Sequence, residues 1–156
     1  MTDYAALANG IKTTLENDPW ITNNVQTIET FKRGFSIQNE KDSLFYAPND
    51  LPALAILPNS EGKQQEIQTT NEIKETVSAQ VVAITRHRNA QMGMEDNLSL
   101  VQNIERVLEK QKSSTNNLGI DAFVNNVSTT EEQFKKGEYY YFISTITAQI
   151  ELISSF

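Results

Sequence analysis

Apolar and polar positions alternate most strictly between Gly137 and Ile153. Tyr140, Phe142, Ile146, Ala148, Ile150 and Leu152 fall on one side, and Tyr139, Tyr141, Thr145, Thr147, Gln149 and Glu151 on the other. Successive side chains of an extended chain point to opposite faces, so the pattern predicts a long strand with one face on a core and the other turned outward. A matching strand is predicted from Glu72 to His87. There Val77, Ala79, Val81 and Ala83 oppose Thr76, Ser78 and Gln80, and Val82 and Ile84 thicken the end. At about 3.3 Å per residue each strand reaches roughly 45 to 50 Å, long enough to project beyond its own domain.

Helical spacing occurs twice. Tyr4, Leu7, Ile11 and Leu15 recur at steps of three and four behind the capping candidates Thr2 and Asp3, and Asn17-Asp18-Pro19 closes that helix. Gly10 costs it about 1 kcal/mol relative to alanine, so packing must hold it. The second helix is expected from Asp96, as cap, to about Gln111, with Leu100, Val101, Ile104, Val107 and Leu108 on one face; Asn89 to Gly93 reads as the turn before it.

Between these segments, Val25 to Lys32 has strand composition and Gly34 closes it, with a polar stretch at 38–43. Ala53 to Leu57 is a short apolar strand between Pro52 and Pro58. Asn59 to Asn71 has almost nothing to bury and is either a mobile loop or an extended hairpin arm. Ser113 to Asn117 reads as a linker and Ala122 to Ser128 as a shorter strand, with Thr129 to Lys136 leading back to the last one. The order α, β, β, β, α, β, β describes a single α+β domain: a mainly antiparallel β-sheet with two amphipathic helices packed on one face, the other face left available.

The 156 residues suit one domain, and 38% hydrophobic content suits one core. Absence of cysteine excludes disulfides, a thiolate nucleophile and cysteine-ligated metal. The start at Met1 lacks the pattern of a secretory leader and no run of about 18 apolar residues occurs, so a soluble chain is expected. A net charge of −7 opposes tight nucleic-acid binding, which needs clustered Lys and Arg.

Chemistry-bearing motifs are sparse. The six glycines stand far apart, so no phosphate-cradling loop is formed. His87 is the one histidine and sits between Arg86 and Arg88 at a strand end, which points to a solvated basic spot rather than a catalytic base. Glu131-Glu132 and Glu95-Asp96 lie in polar sequence without the burial that tunes a general acid. Alternation sends Tyr140 to the core face and Tyr139 and Tyr141 outward, as interface anchors or as cross-strand partners.

An N-terminal amphipathic helix, a strand, Leu51-Pro52-Ala53-Leu54-Ala55-Ile56, a long strand ending in charge, a helix over 96–111, Leu118-Gly119 and a long Tyr- and Phe-rich last strand together resemble the tail terminator proteins of long-tailed bacteriophages. The resemblance covers nearly the whole chain and lies in element order and length. It implies a structural virion protein without catalytic residues, cofactor or metal. Such a protein forms a ring, expected to be hexameric, on the last ring of the tail tube and stops its polymerisation. The partners implied are other copies of the chain, the tail-tube protein and a head-tail connector or stopper protein, with DNA passing through and no membrane involved. Its place would be the head-proximal end of the virion tail, after assembly in the host cytoplasm.

Polar segments on a rigid sheet commonly bind, which makes Glu61, Lys63, Gln64, Gln65 and Glu66, with Arg86, His87 and Arg88, the candidate partner-binding residues. The alternative is a ligand-binding or enzymatic α+β cone with a pocket of at least about 300 Å³ lined by aromatic side chains and His87 as its base. Another neck protein of the head-tail joint would use the same physics as a terminator.

Overall fold

The computed structural model describes residues 2–30, 50–113 and 117–155. Three helices and five strands follow one another: α1 (Tyr4–Glu16), α2 (Pro19–Asn24), β1 (Thr27–Thr30), β2 (Ala53–Thr69), β3 (Glu72–His87), α3 (Ala90–Glu109), β4 (Ala122–Lys136) and β5 (Tyr139–Ser155). The fold is α+β, built on one sheet in the order β1-β2-β3-β5-β4. Among the described residues, β1 alone runs parallel to its neighbour and the other pairings are antiparallel. The β3–β5 ladder is unbroken from Glu72 opposite Ser155 to His87 opposite Tyr140.

Local chemistry sets the element ends. Asp3 caps α1 by accepting from Ala6 N at 3.0 Å. Asn17-Asp18-Pro19 ends α1 as expected, but the same residues also start α2: Asp18 accepts from Ile21 N at 3.1 Å, and Pro19 fills a first-turn position where no N–H is needed. Arg106 on α3 donates to both Asp18 carboxylate oxygens at 3.0 Å, tying α2 to α3.

α3 begins six residues before the expected Asp96 and ends at Glu109. Its cap is Asn89, whose side chain accepts from Met92 N at 3.1 Å. Gly93 is therefore helical. It is glycine because a Cβ there would meet the Phe142 ring at 2.4 Å and His87 Cβ at 2.9 Å, so the helix lies directly on the sheet.

The main core fills the space between helices and sheet. Leu7, Ile11 and Leu15 of α1 and Leu100, Ile104 and Leu108 of α3 meet Leu54, Ile56, Val77, Val81, Ile146 and Ile150. Each such side chain contributes roughly 1.5 to 3 kcal/mol through removal from water.

The opposite face departs from the expectation that it stays available. Toward the start of β2 and β5 and the end of β3 it carries a second buried cluster: Ala53, Ala55, Val82, Ile84, Phe134, Tyr141 and Ile143. Tyr141 lies on the face that alternation assigned, yet it is buried, stacked on Phe134 with ring centroids 5.1 Å apart. Further along, the same face is polar as expected, with Thr145, Thr147 and Gln149 of β5 opposite Val82, Gln80 and Ser78 of β3.

The Asn59–Asn71 segment is a hairpin arm rather than a loop, because β2 continues to Thr69 and pairs with β3 again at Gln64 to Thr76. Likewise β4 extends through Glu131-Glu132 to Lys136 and turns at Gly137, whose φ of 62° suits glycine, into β5. The Val25–Lys32 strand is seen as β1 at Thr27–Thr30. The rest of it, Gly34 and the 38–43 stretch lie outside the described residues, as does most of the Ser113–Asn117 linker.

Candidate functional site

The eight sequence-derived partner residues fall at opposite ends of β3. Glu61, Lys63, Gln64, Gln65 and Glu66 lie on the outer part of β2, while Arg86 and His87 end β3 and Arg88 follows it. Gln64 to Glu66 pair opposite Thr76 to Lys74, so roughly 30 to 40 Å of strand separates the two groups and they form two surfaces, not one site.

In the arm, Glu61, Gln64, Gln65 and Glu66 are exposed and Lys63 is half-buried; Lys63 and Gln65 also reach Glu75. Glu75 sits at the core-facing register of β3 and is 1% exposed. Lys63 Nζ lies 3.2 Å from its carboxylate and Gln65 Nε2 donates to it at 3.3 Å, while the Thr2 hydroxyl donates from ahead of α1. Burial acts to raise this carboxyl's pKa, but the hydrogen bonds, led by that from Thr2, outweigh it and bring the value down from 4.5 to about 2. One buried charge thus fastens arm, α1 and sheet. Beside it on the opposite face, Lys74 pairs with Glu151 at 3.0 Å; the hydrogen bond raises the Lys74 pKa, and bonds from Asn125 and Lys74 lower that of Glu151.

At the other end, the Arg86 guanidinium lies 4.1 Å from the centre of the Tyr139 ring and that of Arg88 lies 5.3 Å from it. Arg88 Nε also donates to the Tyr139 hydroxyl at 3.4 Å. The imidazole of His87 accepts from Asn89 N at 2.9 Å through Nδ1, so it shapes the entry into α3. The basic spot is a cation–aromatic cluster at the sheet corner.

Among the described residues, two cavities of more than 300 Å³ bear on the alternative reading. One of about 390 Å³ lies between α1 and α3, lined by Thr13, Thr14, Asn17, Arg106, Lys110 and Gln111 among others. The second, of about 320 Å³, is lined by Trp20, Asn24, Pro52, Thr85, Arg86, Asp96, Ser99 and Leu100. His87 lines neither of them. No group of His, Cys, Asp and Glu suited to a metal ion occurs among the described residues, and no described helix is long and apolar enough to cross a membrane.

No family model matches the chain, and no curated protein matches it.

Proposed function

We propose that this chain is an assembly protein of the tail-terminator type, a ring subunit that caps a tail tube and offers its other side to a head connector. The observation that carries the reading is a sheet with one long outer strand, β4, and a long stretch of β2 left at an edge beyond the short β1. Among the described residues, β4 is paired only with β5, and β2 beyond Ile56 is paired only with β3. Unpaired backbone edges accept neighbouring chains, and one edge on each side of a sheet suits head-to-tail contacts that close by rotation. The arm and the Arg86–Arg88 corner stand at the two ends of the same strands, where one could meet the tube and the other a connector. A net charge of −7 would let DNA pass a lumen without sticking.

Purified protein added to polymerising tail-tube subunits is expected to limit tube length, read by electron microscopy. Unchanged lengths at saturating protein would remove the proposal. The arm is best probed by substitution, because deletion would take away Lys63 and Gln65 and with them the partners of Glu75. Reversing charges at the two surfaces, the exposed Glu61→Lys with Glu66→Lys in one variant and the half-buried Arg86→Glu with the exposed Arg88→Glu in another, should weaken ring or tube association at least about tenfold in sedimentation. Full assembly by both variants would exclude these surfaces.

A further inference from the structure

The two ends of the long strands carry opposite charge on the same face of the sheet. At the corner, the Arg86 and Arg88 guanidiniums lie 4.1 and 5.3 Å from the centre of one ring, that of Tyr139. The two cations therefore stand less than about 10 Å apart, roughly one screening length at physiological salt. Lys136 pairs directly opposite Tyr139 and shares its face. Among the described residues the one carboxylate paired with either guanidinium is that of Glu138, 4.0 Å from Arg88 and itself 80% exposed.

At the arm the sign is reversed. Glu66 and Glu72 are exposed, and neither is in an ion pair among the described residues. The neighbouring cations are engaged elsewhere: Lys63 with the buried Glu75, and Lys74, opposite Glu66 in the ladder, with Glu151. Because the β3–β5 ladder is unbroken, Glu72, Lys74 and Arg86 fall on one face, and Glu66 joins them opposite Lys74. Within one molecule the acidic and basic ends do not neutralise each other, since roughly 30 to 40 Å of strand, several screening lengths, lies between them.

We propose that a second copy of this chain docks on the Arg86–Arg88 corner through its arm, with Glu66 and Glu72 accepting from the guanidinium N–H groups. Two molecules bring together the charges that one molecule holds apart, and guanidinium–carboxylate pairing is the charge-assisted bond these groups are built to make. A nucleic-acid backbone fits the corner less well. The cationic patch covers only about 7 Å along β3 and about 10 Å across three strands, and a net charge of −7 repels phosphate over the rest of the surface. The contact leaves the sheet edges open, so it adds an end-to-end joint to any sideways pairing, and no tail component takes part in it.

Sedimentation of the full chain tests this. Self-association is expected in about 20 mM sodium chloride and should weaken at least about tenfold in about 500 mM. Glu66→Lys with Glu72→Lys, and separately Arg86→Glu with Arg88→Glu, should each weaken it at least about tenfold in low salt. An equimolar mixture of the two variants should restore it, because every arm then finds a corner of opposite sign. Arg88→Glu alone, at an exposed position, takes the place of the double variant if half-buried position 86 does not tolerate a carboxylate. Three results would overturn the proposal: no self-association up to about 200 µM in low salt, a mixture no stronger than its components, or a hexaglutamate peptide that binds the corner of a chain that stays monomeric. The last would assign the corner to an acidic segment of another protein. Tube length is a separate readout, so this contact and the capping proposal fail or stand independently.

Discussion

Replacing Glu75 with alanine is expected to lower the free energy of unfolding by about 3 to 5 kcal/mol, because it strands the cation and hydroxyl gathered around a buried carboxylate. Urea unfolding followed by circular dichroism measures this. The isosteric Glu75→Gln variant isolates the charge. The carboxyl has an ordinary pKa of 4.5 and a folded value of about 2. Its contribution is therefore complete above pH 4.5, declines as pH falls between 4.5 and 2, and is gone below. The stability difference between the original chain and Glu75→Gln should be on the order of 3 kcal/mol at pH 7 and shrink steadily toward pH 2. Parallel stability curves across that window would show that the charge contributes nothing.

Gly10→Ala is expected to destabilise the protein by about 1 to 3 kcal/mol, although alanine in an open helix is better than glycine by about 1 kcal/mol. A Cβ at position 10 would lie 2.6 Å from Leu118 O, a backbone atom. That atom has little freedom, since Leu118 N donates to the buried Gln111 side chain at 3.0 Å and Leu118 itself has a φ of 56°. Thermal unfolding reads the outcome; a higher melting temperature would mean that the turn yields. The local cost of Gly10 was visible in the sequence, but its reason lay more than a hundred residues away.

That contrast explains what was legible. β3 and β5 follow from sequence because over much of their length burial on one face alone leaves an alternation, and the bounds of β3 coincide with the predicted ones. The outer part of β2 and the second half of β4 carry polar residues on both faces, so only their pairing with a neighbouring strand reveals them. The start of α3 was hidden because Gly93 reads as a turn until the Phe142 ring is seen beneath it. Alternation assigned Tyr141 its face correctly, but could not show that alanines of β2, Val82 and Ile84 of β3, and Phe134 of β4 assemble a second cluster there.

Of the candidate site, Glu61, Gln64 and Glu66 were legible as surface. Gln65 is surface as well, and what the sequence does not show is that it and the half-buried Lys63 also reach Glu75. A signal for Glu75 was present: it stands in register with Val77, Ala79 and Val81, a charge where alternation demands an apolar side chain. The cavity lined by Trp20 and Asp96 had no such signal, because four separated segments build it.

Packing on both faces at one end of the sheet has a mechanical consequence. There the strands are clamped between two apolar layers, whereas the hairpin tip relies on a few polar ties and on Glu75. Resistance to local opening should therefore fall along the length of β2 and β3. The molecule resembles a bristle with a stiff root and a compliant end, able to adjust its tip to an uneven neighbour without disturbing the anchored half.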